Sequence, residues 1–91
     1  MDPLTYLLQA YFHEDWSHTF QTWEEILDEF LKEDSALIAR VPEEIDTLLA
    51  RIGDDAELER TLMSMGLAYD PDEGDRAWLE AVRDRIVSSL R

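Results

Sequence analysis

The side chains best suited to chemistry in this chain are histidines and carboxylates, and their densest mixture is His13, Glu14, Asp15 and His18. Imidazole and carboxylate both ligate zinc, and a helical zinc site presents its histidines at i and i+4. Here the histidines are five positions apart and no third ligand of suitable spacing follows. The expectation is therefore no metal. His13 and Asp15 should instead satisfy backbone groups at a helix end, with Trp16 packed beneath them. A second cluster, Asp70-Pro71-Asp72-Glu73-Gly74-Asp75, begins like a calcium loop. It does not continue as one, because an EF-hand needs glycine at its sixth position and a bidentate Glu at its twelfth, whereas Gly74 is fifth and Ala81 twelfth. An acidic turn capping the next helix is expected there.

Carboxylates are so numerous that a general acid and base pair can be drawn almost anywhere, which makes any one pair uninformative. The chain has no cysteine, no glycine-rich phosphate loop and no serine elbow, and short helices leave little room for a substrate pocket once their own core is filled. Neither catalysis nor a cofactor is expected. Absence of cysteine also removes disulfides and thiolate metal sites, which favours a cytoplasmic address. Met1-Asp2-Pro3 lacks the basic and apolar regions of a leader, and no apolar run approaches the roughly 20 residues that span a bilayer.

Charge is the dominant remaining signal. The 91 residues carry 22 Asp and Glu against 8 Lys and Arg, a formal net charge of −14. Phosphate backbones and anionic lipid heads would be repelled, so direct nucleic-acid or membrane binding is not expected. A cationic partner is.

These groups must be positioned by helices. Asp2 and Pro3 can start a first helix whose Leu4, Leu7, Leu8, Tyr11 and Phe12 share a face. Residues 13–21 break the period while carrying Trp16 and Phe20, and read as a connection anchored by aromatics. Thr22 and Glu25 form a capping box for a second helix to about Glu33, with Trp23, Ile26, Leu27, Phe30 and Leu31 inward. Ser35 can cap a third helix in which Leu37, Ile38, Val41, Ile45, Leu48, Leu49 and Ile52 stay in phase across Pro42, where a kink or interruption is expected. Asp54 and Glu57 open a fourth, containing Leu58, Leu62, Met63 and Met65 and closed by Gly66. The methionines read as core filler. Trp78, Leu79, Val82, Ile86 and Leu90 mark a fifth, with Arg83, Arg85 and Arg91 toward its C-terminal end, where cations suit the helix dipole. No stretch alternates with period two. The expected fold is all-α, one compact bundle of about five helices forming a single domain over residues 1–91.

The anionic excess is uneven. Residues 1–34 hold 9 acidic groups and 1 basic, residues 35–66 hold 7 and 3, and residues 67–91 hold 6 and 4. It concentrates beside the apolar stripes of the second and third helices, as Glu24, Glu25, Asp28, Glu29, Glu33 and Asp34 on one and Glu43, Glu44 and Asp46 on the other.

Tyr11-Phe12-His13-Glu14-Asp15-Trp16, the acidic helix ending near Phe30, Glu44-Ile45 with Leu48-Leu49, the series Leu58, Leu62, Gly66, Tyr69, Pro71, and Trp78-Leu79 occur in that order. Together they resemble the small helical immunity proteins of bacterial contact-dependent growth inhibition, over Leu4 to Leu79. The resemblance implies a cytosolic antitoxin that binds the C-terminal toxin domain of an effector and blocks it without turnover. Such toxins are often nucleases with cationic channels. An acidic domain would meet one through electrostatic steering and occlude it by mimicking phosphate charge. The clustering nominates Glu24, Glu25, Asp28, Glu29, Glu43 and Asp46 as contacts, with a monomer favoured. Tyr11, Phe12, His13, Asp15, Trp16 and Trp78 are expected at core and capping positions, and Gly66 at the helix end. Two other readings fit the charge: a nucleic-acid mimic that inhibits DNA-binding proteins, and an acidic helical adaptor.

Overall fold

The computed structural model describes residues 2–13, 16 and 20–91. Glu14, Asp15 and His18, to which the sequence assigned capping or excluded metal roles, lie outside the described residues. The described chain forms α1 (Pro3–Tyr11), α2 (Trp23–Phe30), α3 (Ser35–Arg51), α4 (Asp55–Ser64) and α5 (Asp75–Ser89), with no strand among them.

Most helix starts follow from local capping. The Asp2 carboxylate accepts from the Thr5 amide at 2.8 Å, the Thr22 hydroxyl from the Glu25 amide at 3.3 Å, and the Asp54 carboxylate from the Glu57 amide at 3.1 Å. Three details differ from expectation. α2 ends at Phe30, because the Lys32 and Glu33 amides turn back to the carbonyls of Glu29 and Phe30, three residues earlier, and tighten the last turn. α3 is capped by Asp34, whose carboxylate accepts from the Ala36 amide at 3.0 Å, so Ser35 is the first helical residue and not the cap. Finally, the turn before α5 supplies no side-chain cap. Gly74 occupies the cap position at φ +94°, a conformation that glycine tolerates and other residues rarely adopt.

α3 runs through Pro42 without interruption. Pro42 cannot donate to the Ile38 carbonyl, a defect of about 3 kcal/mol in an isolated helix. Burial on both sides offsets it: Ile38, Val41, Ile45 and Leu48 are all in the core, and a break would throw one half out of phase.

α4 ends in a left-handed turn. The Leu67 amide reaches back to the Leu62 carbonyl at 3.0 Å and the Gly66 amide to Met63 at 3.1 Å, with Gly66 at φ +106°. Leu62 and Leu67 are both buried, so the turn also delivers an apolar side chain to the core.

The helices pack as a bundle in which α3 lies against α5 and α1, α5 against α4, and α1 against α2. Trp78 of α5 is fully buried among aromatic edges, with Phe12 at 5.0 Å, Tyr69 at 5.5 Å and Trp23 at 6.2 Å between ring centroids. Trp16 meets Tyr69 edge-on at 5.4 Å, and Trp16 and Phe20 both pack on the core as anchors of their connection. Phe12 is likewise buried and Tyr11 half-buried. His13 is exposed at the side chain, and its carbonyl accepts from the Trp16 amide. Met65 packs against the core, but Met63 is 64% exposed and is not core filler.

Candidate protein-binding surface

The carboxylates nominated on α2 and α3 do not form one face. Arg83 and Arg85 of α5, two positions apart, reach to different neighbours. Arg85 holds Asp28 of α2 through two hydrogen bonds of 3.0 and 2.9 Å, and Arg83 donates to Asp46 of α3 at 2.9 Å. α5 therefore stands between the two acidic helices. The arginines are spent on these pairs rather than on the last turn of their own helix, which contains no basic residue. The hydrogen bonds from Arg85 hold the Asp28 carboxyl below its ordinary range. Glu29 pairs with Lys32 at 2.9 Å. Glu24, Glu25 and Glu43 make no ion pair with any described residue, although Glu25 approaches the Thr22 hydroxyl at 3.4 Å.

Other charged groups assemble the fold. The Glu44 carboxylate accepts from the Leu4 amide at 2.8 Å, tying the start of α1 to the middle of α3. Tyr6 and Tyr11 both donate to one oxygen of Glu33, in the turn between α2 and α3. The bond from Tyr11, then that from Tyr6, lowers the Glu33 carboxyl from its ordinary value, and burial with the neighbouring carboxylate pushes the Tyr11 hydroxyl up. A lowered folded-state value means that Glu33 stabilises the fold above its unfolded range, near pH 4.5, and loses that contribution as the pH falls through the folded value. The stability gap between wild type and Glu33→Gln, read from urea midpoints, should narrow steadily between about pH 6 and about pH 3.

Arg76 carries a role with no signal in its local sequence. Its guanidinium donates to the carbonyls of Leu49 and Ile52 at the end of α3 and lies 3.4 Å from Asp55 at the start of α4. One side chain thus satisfies the terminal carbonyls of one helix and joins two others. Arg76→Met should cost about 1.5 to 3 kcal/mol, the usual worth of hydrogen bonds to a charged group, measured by urea unfolding.

A further acidic surface lies elsewhere, where α4, residues 67–74 and the start of α5 border a cleft of about 570 Å³ lined by Asp55, Glu59, Asp70, Glu73, Asp75 and Glu80. Arg76 is its one lining cation, and that guanidinium is bonded to the α3 carbonyls and paired with Asp55 alone among these carboxylates. Burial, followed by Glu59, Asp70 and Asp55, raises the Asp75 carboxyl above its ordinary range. Asp75→Asn should accordingly raise the thermal midpoint at pH 7, and the gain should vanish below about pH 3, where both states of the wild type are protonated. Burial, followed by Glu73, Asp72, Glu24 and Asp70, raises the Tyr69 hydroxyl above its ordinary value. Asp55, Glu59 and Met63 at i, i+4 and i+8 on α4 were a legible stripe leading into this cleft, outweighed in the sequence by the denser runs of α2 and α3.

Among the described residues, no group of His, Cys, Asp and Glu converges to hold a metal ion, and no helix is long and apolar enough to cross a membrane. What the surface offers is shape and negative charge, the equipment of a domain that binds another protein. The chain belongs to the CdiI immunity protein family, whose model matches residues 1–86. It is thus an immunity protein of contact-dependent growth inhibition, a non-catalytic binder that neutralises a toxin partner. No curated protein and no solved structure matches the chain.

Proposed function

We propose that this protein neutralises a cationic toxin domain, with a nuclease as the leading class, by covering its substrate channel with an anionic surface in the cytoplasm. The observation that carries this reading is the state of the basic side chains. Lys32, Arg40, Arg76, Arg83 and Arg85 are already paired with carboxylates of the same chain, and the net charge of −14 makes the field projected outward negative. Such a field accelerates encounter with a cationic surface and repels competing polyanions. Glu24, Glu25 and Glu43 are available to a partner as they stand. Asp28, Glu29 and Asp46 would contribute through the net field or by exchanging their internal partners.

Co-expression with the toxin domain encoded beside this gene tests the proposal. Rescue of growth, a one-to-one complex and an association rate that falls steeply with salt are the expected results. A complex whose association rate ignores salt would overturn the electrostatic reading while leaving immunity intact.

A further inference from the structure

The acidic cleft has an apolar end. Met63, Leu67, Ala68 and Tyr69 line a smaller hollow of about 220 Å³ that shares Glu59, Asp70 and Asp75 with the larger one. Leu67 is buried beneath it, whereas Met63 stands 64% exposed at its edge, the most exposed large apolar side chain of the described fold. A thioether in that setting adapts its shape to whatever lies on it. This apolar end adjoins carboxylates that no described cation neutralises: the side chains of Glu59 and Asp70 make no ion pair or hydrogen bond with another described residue.

Only one kind of natural side chain is apolar along its stem and cationic at its tip. We propose that this cleft seats a basic side chain projecting from the toxin domain, its methylene stem on Met63 and Tyr69 and its charged tip among Glu59, Asp70 and Asp75. The inference rests on the cationic-toxin reading above and locates the anchor of that interface. It places the anchor on α4 and residues 67–74, away from the α2 and α3 runs where the carboxylates are densest in sequence. Charge complementarity selects the occupant: an acidic or neutral apolar segment would leave several carboxylates desolvated without a partner.

The experiment measures binding of the catalytically disabled toxin domain encoded beside this gene, with growth protection scored in parallel. Glu59→Lys with Asp70→Lys reverses two of the three anchor carboxylates; Glu57→Lys with Asp84→Lys makes an equal change in net charge outside the cleft and outside the carboxylates nominated on α2 and α3. All four positions are exposed, and circular dichroism with urea unfolding verifies that both variants fold. The cleft variant should lose at least about 100-fold in affinity, mainly through faster dissociation, and should no longer protect, whereas the control should mainly slow association. Met63→Ala, which leaves charge untouched, should weaken binding by about 5-fold to 10-fold. If wild type binds and protects while the cleft variant matches the control, the cleft proposal is wrong and the cationic-toxin reading survives. Wild type that neither binds nor protects would overturn both.

Discussion

Trp78→Ala should lower stability by about 3 to 5 kcal/mol, the largest single loss expected of any core position, and at that size a domain of this length is at the edge of unfolding. The indole is fully buried and is met by Phe12, Tyr69 and Trp23 from three separate segments. Its removal leaves a cavity that those segments cannot all close. Trp78→Phe provides the informative comparison. The Trp78 Nε1 donor is buried without a hydrogen-bond partner among the described residues, so phenylalanine removes an unsatisfied polar group together with some volume. The phenylalanine variant should therefore lose no more than about half of what alanine loses. Urea unfolding of the three proteins decides it; equal losses in both variants would mean that the indole N–H contributes to the fold.

The second large effect is expected at Gly66, where alanine should cost about 1 to 3 kcal/mol from backbone conformation alone. At φ +106° a Cβ is strained, and here it would also lie 2.4 Å from Gln9 Cγ and 3.2 Å from Gln9 Cα. The Gln9 side chain is exposed and can swing away, but its backbone cannot move without shifting α1. The loss should thus appear as both a lower midpoint and weaker hydrogen-exchange protection where α1 meets the turn after α4. Gly53 supplies the control. It has no positive φ, and a Cβ added there would meet nothing within 4 Å, so Gly53→Ala should be neutral or stabilise by up to about 1 kcal/mol through the unfolded chain.

These two positions also show what kind of information local sequence holds. Gly66 was legible as a helix end because a Schellman turn is written within a few residues, in the spacing of Leu62, Gly66 and Leu67. What could not be read was its closeness to Gln9, which depends on how the turn after α4 meets α1. Trp78 was legible as a core residue from its phase with Leu79, Val82 and Ile86, but not the identity of its neighbours. The same division runs through the caps. Asp2, Thr22 and Asp54 were legible because a cap bonds an amide three residues on. Asp34 was missed in favour of Ser35 because both residue types cap well and neighbouring positions compete for one helix start.

The charged surface divides more sharply. Composition and the order of motifs sufficed to establish an acidic, all-helical chain of the immunity type, since net charge is a sum and apolar periodicity is local. Which carboxylates remain available is a difference between neighbours in space. Asp28 and Asp46 belonged to the densest acidic runs, yet each is answered by an arginine of α5, from 57 and 37 residues away. Asp70 and Asp75 close the same acidic turn in the sequence, but nothing there joins them to Glu59, eleven residues before Asp70, and folding brings the three together around one cleft beside Met63. Helix phase, capping and total charge are carried by residues within a turn of one another and are therefore written in the sequence. Ion pairing, the seating of Arg76 on the end of α3, and the concave meeting of α4 with α5 depend on packing directions set by the whole core, and only the tertiary structure decides them.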